Sequence, residues 1–254
     1  MEKFRWLTVG MTSRLGGVSN YPWNEFNQAL HVGDHSTHVI LNRQRLAEAV
    51  GIDFAQWTCA EQVHGCDVAQ VGQSNVGSGR LSRNEAISSK DALITREKGV
   101  MLNAFFADCV PVWLVDPTHR AIGLVHAGWR GSSLDVVSVA SRTMSEAYQS
   151  KPSELYAAIG PSIRGCCYEV DDVVMDCMKK ADDSFGEFYY QTTSTHHYRL
   201  DLAKFNQHKL LKAGILPEHI EISQYCTACN TDLFYSHRRE FGQTGRMSAW
   251  IAMK

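Results

Sequence analysis

Apolar positions along the chain follow two different periods. Residues 109–115 and 121–125 are short, valine-rich apolar runs separated by the polar stretch 116–120. Uninterrupted runs of this length, bounded by a turn, predict two strands buried on both faces. Elsewhere the period is helical. Val39, Leu46 and Val50 fall on one side of a helix that Ser36 can cap and Gly51 stops. Val137, Ala140, Met144 and Tyr148 mark a second helix, begun by Ser132 or Ser133 and ended before Pro152. Residues 155–159 read as a strand, 171–180 as a helix and 202–213 as a helix closed by Gly214; 220–223 and 247–253 read as late strands. Residues 72–89, rich in Gly and Ser, read as a surface loop. There is no internal repeat or low-complexity tract. Strands alternating with helices predict one α/β (mixed α+β) domain over residues 1–254, a central mixed β-sheet flanked by helices.

Composition narrows the class. A chain of 254 residues can bury a core without covalent staples. With 25 basic against 27 acidic residues, a domain-wide electrostatic grip on nucleic acid or an anionic membrane is not expected. Glu2, Lys3 and Arg5 interrupt the first ten residues, so no export signal is expected there. The most apolar stretch, residues 100–115, carries Asn103 and Asp108 and falls short of a membrane span. A cytoplasmic protein, monomeric or homodimeric, is the expectation. Its eight cysteines are then reduced thiols or metal ligands rather than disulfides.

Four segments concentrate Gly, Cys, His and Arg. They are residues 13–19 (Ser13 to Ser19), Gln62-Val63-His64-Gly65, Ala107-Asp108-Cys109, and His126-Ala127-Gly128-Trp129-Arg130-Gly131. Cys109 opens one predicted strand and His126 closes the next, so an antiparallel hairpin would set thiol and imidazole side by side. With His64 they make a three-ligand set that leaves a fourth position open, which is the catalytic zinc pattern. Soft sulfur with imidazole favours Zn2+, with Cu2+ as competitor. Each residue also has an ordinary reading: a hydrogen-bonded structural histidine, a small core thiol, a glycine permitting a tight turn.

Together the segments resemble the YfiH/YlmD-type family, whose members have been called laccase-domain or polyphenol oxidase proteins and purine nucleoside phosphorylases. The resemblance rests on Arg14-Leu15-Gly16-Gly17-Val18-Ser19, Asn27 with Leu30-His31-Val32-Gly33-Asp34, Gln62-Val63-His64-Gly65 and Asp91-Ala92. It continues through Ala107-Asp108-Cys109-Val110-Pro111, the histidine motif from His126 to Gly131, Ile159-Gly160-Pro161-Ser162-Ile163, Cys166-Cys167-Tyr168, Ser236-His237-Arg238-Arg239 and Thr244-Gly245-Arg246-Met247. It spans the chain from about residue 9 onward. It implies that His64, Cys109 and His126 are the metal-binding and catalytic trio. Two departures stand out: Ser13 and Phe106 occupy positions where many members carry Thr, and the second bears on the pocket wall.

The resemblance implies phosphorolysis of adenosine, inosine, guanosine and methylthioadenosine, and adenosine deamination. Phosphorolysis needs a held anion, a positioned sugar and a stabilised leaving base. Arg130, at a predicted helix start, and Arg14 are the phosphate candidates, with Asn27 as a further substrate-binding residue. Deamination needs an activated water and a proton carrier; Asp108 is the candidate carrier, or else it orients a metal ligand. Two other enzymes fit the trio. One is a metal-free cysteine hydrolase or amidase with Cys109 as nucleophile and His126 as base, which would suit peptidoglycan precursor editing. The other is a copper-dependent polyphenol oxidase. The latter usually holds several coppers on His-x-His pairs, and none of the 11 histidines forms one; His196-His197 are adjacent in a polar, exposed stretch. A non-catalytic metal or nucleotide binder is a third class. Cys226-Thr227-Ala228-Cys229 supplies only two ligands. Cys166-Cys167 could complete a second zinc site, but neighbours in a strand point to opposite faces, so core thiols are the expectation.

Overall fold

The computed structural model describes residues 4–186 and 189–254. Glu2 and Lys3, on which the export-signal reading rests, lie outside them. In chain order the first half holds β1 (Leu7–Met11), α1 (Ser36–Ala49), β2 (Trp57–Cys59), β3 (Val68–Gln70), β4 (Ala92–Thr95), β5 (Met101–Phe106), β6 (Val110–Asp116) and β7 (Ala121–Ala127). The second half holds α2 (Trp129–Ser133), α3 (Val136–Tyr148), β8 (Tyr156–Ile159), β9 (Glu169–Asp171), α4 (Asp172–Ala181), β10 (Tyr190–Ser194), β11 (His197–Leu200), α5 (Leu202–Lys212), β12 (Ile220–Ile222) and β13 (Met247–Met253).

The fold is mixed α+β, as expected, but its strands form three sheets rather than one. A six-stranded mixed sheet runs β12-β8-β6-β7-β4-β3, a four-stranded mixed sheet β1-β13-β5-β2, and a small antiparallel sheet β10-β11-β9. The two larger sheets pack face to face, and the period of two assigns each side chain to a layer. In the β6–β7 pair, Val112 opposes Val125 and Trp113 opposes Leu124. Val110, Val112, Leu114, Ala121, Val125 and Ala127 join Val137, Ala140 and Met144 of α3 and Phe205 and Leu210 of α5. The alternate residues Trp113, Val115, Ile122 and Leu124 join Leu102, Ala104, Phe106, Ala249 and Ile251 in the core between the sheets. Leu46 of α1 covers the outer face of the four-stranded sheet against Trp57, Met101 and Phe105. The order of layers is therefore helix, sheet, sheet, helix. His126 continues the face of Ile122 and Leu124 and ends the inter-sheet core.

Several expectations need correction. Ser36 is the first helical residue of α1, and His35 holds the cap position. The second helix starts at Val136, not at Ser132 or Ser133. The Ser132 hydroxyl accepts from Asn206 and that of Ser133 donates to the Arg130 carbonyl, so neither caps α3. Those serines end the separate short helix α2, and Asp135, with a left-handed φ of 60°, breaks the chain between the two. His196 turns the β10–β11 hairpin and His197 begins β11; both are exposed. The region 72–89 is a surface loop, as expected, tied down by the buried Arg43, which donates to the Gly79 and Arg80 carbonyls. Among the described residues no helix is long and apolar enough to cross a membrane.

Leu124 is 1 % exposed between the sheets. Leu124→Ala should lower unfolding free energy by about 2–5 kcal/mol in urea titration. A loss below about 1 kcal/mol would contradict the inter-sheet packing.

Candidate active site

The chain leaves β5 in one sheet and enters β6 in the other through residues 107–109, so Cys109 lies where the two sheets separate. His126, 3 % exposed, is the penultimate residue of β7. His64 comes from the loop between β2 and β3, in a left-handed backbone conformation with φ 61°. The ligand atoms of His64, Cys109 and His126 all lie within 4.8 Å of one another. Cys109 Sγ is 4.0 Å from His64 Nε2, and the two imidazoles meet edge to face with centroids 4.9 Å apart. The predicted convergence of the three side chains is thus present in the fold. Gly128 makes room for it: a Cβ there would stand 2.9 Å from His64 Cδ2 and 3.0 Å from Cys109 Sγ.

Asp91, just before β4, fastens the cluster. Its carboxylate accepts from the backbone N–H of Val63 (3.1 Å), His64 (3.0 Å) and Gly65 (2.7 Å), and lies 2.8 Å from His126 Nδ1. Its own carbonyl accepts from the His126 N–H at 2.7 Å. Gln62 clamps the other side of the loop, exchanging two hydrogen bonds with the backbone of Phe105 in β5. With Nδ1 donating to Asp91, His126 Nε2 is left as the free lone pair, the arrangement that carboxylates impose on metal-ligating histidines.

The electrostatics match a ligand cluster. Burial opposes ionisation of Cys109, but His126 and His64 beside it outweigh that and bring the thiol down to about 6. Burial likewise opposes charge on His126, yet the Cys109 thiolate and Asp91 push it up to about 9. Asp91 is held below the usual carboxylate range by His126 and the loop N–H groups, against the effect of burial. A divalent ion would replace the proton in such a set. Tetrahedral zinc with Zn–S near 2.3 Å and Zn–N near 2.0–2.1 Å would place sulfur and nitrogen about 3.6 Å apart. The 4.0 Å separation of Cys109 Sγ and His64 Nε2 is close to that.

The trio opens into a cavity of about 440 Å3, a size that suits a small organic ligand. Phe105, Trp129 and Tyr168 give it aromatic walls, and Arg130, Arg238 and Arg246 bring positive charge. His31 and His237 complete that side. Burial, then Arg246, Arg83 and Arg43, lowers His31 to about 4; burial and Arg246 lower His237 as well. Both imidazoles are therefore neutral hydrogen-bonding groups in a positive field, which suits an anion.

Of the remaining candidates, Asp108 and Arg130 line this cavity, whereas Arg14 and Asn27 do not. Arg14 donates to the carbonyls of Thr231 and Asn24, pairs with Glu240 at 2.9 Å and stacks on Tyr235. Asn27 is wholly buried and bonds Ala29, Asp34 and the backbone N–H of Arg246, so it supports the anion side from behind. Asp108, with φ 84°, accepts from Thr227 Oγ1 (2.6 Å), Ser236 Oγ (3.1 Å) and the Arg238 N–H (2.7 Å). The sequence reading missed Asp91, His31, His237, Arg238 and Arg246 as site residues. All five sit in the segments that carried the resemblance, and that was the signal available.

Known proteins resemble the chain over nearly its whole length. A family model described as "Multi-copper polyphenol oxidoreductase laccase" matches residues 8–254. The chain is 41% identical over 251 residues to the purine nucleoside phosphorylase YlmD of Geobacillus stearothermophilus, covering 99% of this chain and 92% of that one. It is 39% identical to its Bacillus subtilis namesake, over 97% of this chain and 88% of the other. The crystal structure of the Bacillus licheniformis hypothetical protein YfiH superposes with a TM-score of 0.98 at 37% identity, covering 100% of this chain and 95% of that one.

Two outcomes are expected. In metal-free protein, alkylation of Cys109 followed by peptide mass mapping should be half-maximal near pH 6, falling as the thiolate is protonated below that value; a midpoint at the ordinary thiol value would refute the imidazole–thiolate pairing. Asp91→Asn should weaken metal binding by about 10- to 100-fold in chelator competition. Unchanged affinity would show that Asp91 does not orient the ligands.

Proposed function

The chain belongs to the multi-copper polyphenol oxidoreductase laccase family, and on that footing we propose that it is a cytoplasmic zinc-dependent purine nucleoside phosphorylase. Adenosine is the proposed main substrate, with inosine, guanosine and methylthioadenosine as further ones and adenosine deamination as a second activity. The observation that carries this reading is the union of two features in one cavity: a Cys/His/His ligand set and three arginines. The relatives' name, purine nucleoside phosphorylase, supports it.

Zinc bound to His64, Cys109 and His126 would supply Lewis acidity at the reacting centre. The protein's own groups do the rest. Arg130, Arg238 and Arg246 hold phosphate against the ribose, lowering the entropic cost of attack at the anomeric carbon. The carbon–nitrogen bond to the purine breaks as the carbon–oxygen bond to phosphate forms, giving free base and ribose 1-phosphate. Phe105, Trp129 and Tyr168 offer faces on which a purine can stack. Asp108 has both oxygens engaged by three donors, which favours an orienting role over proton transfer.

The family description does not make copper oxidation the better reading. Among the described residues the histidine-containing ligand group holds one ion at most, and the other possible group is all cysteine. A metal-free cysteine hydrolase has one observation in its favour, the Cys109–His126–Asp91 chain with its lowered thiol.

Incubation of the purified protein with adenosine and phosphate should yield adenine and ribose 1-phosphate, suppressed by a chelator and absent in His126→Ala. Arg130→Ala should reduce phosphorolysis by about 10- to 100-fold and deamination much less. No product from any purine nucleoside, or product undiminished in His126→Ala, would sink the proposal; amide hydrolysis that survives chelation would favour the hydrolase.

A further inference from the structure

Four of the seven cysteines outside the active site are gathered into one cluster. Cys166, Cys167, Cys226 and Cys229 have their sulfur atoms all within 4.8 Å of one another. Cys229 Sγ is 3.3 Å from Cys167 Sγ and 3.6 Å from Cys166 Sγ. A tetrahedral ion with four Zn–S bonds of about 2.3 Å sets its sulfurs about 3.8 Å apart. The cluster is thus near the dimensions of a four-thiolate zinc site, while a disulfide would need about 2.05 Å.

The objection raised by the sequence was that adjacent cysteines in a strand diverge. Cys166 and Cys167 are not in a strand. They lie in a turn in which the N–H groups of Cys167 and Tyr168 both donate to the Arg164 carbonyl. Cys226 and Cys229 occupy a matching turn, where the N–H groups of Cys229 and Asn230 donate to the Cys226 carbonyl. Two tight turns, each bearing two thiols, face each other and are bridged by the pairing of Ser162 with Cys226. The Arg164 N–H points at Cys226 Sγ at 3.4 Å, the kind of donor that stabilises a ligating thiolate. Arg199, Arg238 and Arg239 line the same hollow as Cys166 and Cys167 and can offset the negative charge of four thiolates around a divalent ion.

We propose that Cys166, Cys167, Cys226 and Cys229 form a second, structural zinc site, distinct from the trio and closed to substrate by its full thiolate set. The site fastens two loops that both reach the main cavity. Ile163 and Tyr168 on the first line it, and Thr227 on the second donates to Asp108 beside Cys109. Its ligands are soft and four in number, which selects zinc over magnesium or calcium.

Metal analysis of variants tests the site independently of the nucleoside reaction. His64→Ala/His126→Ala, which removes two trio ligands, should retain about one zinc per chain through dialysis. Its cobalt-substituted form should show the intense sulfur-to-metal charge-transfer absorption of several thiolates on one ion. Cys226→Ser/Cys229→Ser should lose one zinc relative to the wild type while the trio keeps its own. Should that variant fail to fold, titration of wild type with a mercurial should release one zinc in step with modification of these four cysteines, as mapped by peptide mass. A metal-free His64→Ala/His126→Ala protein that takes up no zinc on reconstitution would overturn the proposal. So would non-reducing peptide mapping of freshly purified wild type that finds Cys229 joined to Cys166 or Cys167.

Discussion

One buried carboxylate joins the parts of the site that the chain keeps apart. Asp91 has no exposed side-chain surface and would be costly to hold ionised without partners. It has four: three successive N–H groups of the loop 63–65 and the imidazole of His126. The same group that turns the His64 loop into its left-handed backbone conformation thus also fixes the tautomer of the second histidine. Leaving the buried Asp91 or His126 side chain unpaired costs about 1–3 kcal/mol, so position and stability are tied together at this point. Cys109 needs no such tether, because the crossing between the sheets sets it.

That crossing explains where the cavity lies. Between β5 and β6 the chain changes sheet over three residues, and the two sheets part there. The inter-sheet core ends in Phe106 and His126, whose rings are 5.3 Å apart, and gives way to a polar hollow. Asp108 takes a positive φ at this step, a conformation that persists for a non-glycine residue only when its surroundings over-determine it. Thr227, Ser236 and the Arg238 backbone do so, drawing the loops that carry Arg238 and the proposed thiolate site to the rim of the cavity.

The strands β6 and β7 were legible because both faces are buried, so their apolar runs are unbroken. The convergence of Cys109 and His126 followed from their register. Short strands of three residues, such as β2, β3 and β9, carry too few positions for a period to declare itself. The split between α2 and α3 was hidden because Ser132 and Ser133 look like caps, while their hydroxyls serve Asn206 and the helix backbone instead. Arg14 and Asn27 shared a motif with the site yet support it from outside the cavity: a sequence shows which residues accompany the chemistry, but only packing shows which face it. Asp91 was visible as part of a motif, and its role depends on a contact with His126 across two strands that no local pattern encodes. The convergence of the cysteine pairs was hidden for a related reason, since a strand and a turn place adjacent side chains differently.

A family description that speaks of several coppers and relatives named as phosphorylases need not conflict, because a fold hosts chemistry without dictating it. The local constellation decides between them. An oxidase that passes electrons through several metals needs several clustered ligand sets of imidazole character. The described residues hold one mixed histidine–cysteine set and one set of four thiols, of which only the first opens into the cavity. The wall facing that set is cationic, and burial together with Arg246 lowers both His31 and His237. Such a wall would add nothing to the oxidation of a neutral phenol, but it is what a phosphate dianion requires when the rest of the pocket is aromatic. The arginines, more than the metal ligands, therefore separate the two readings.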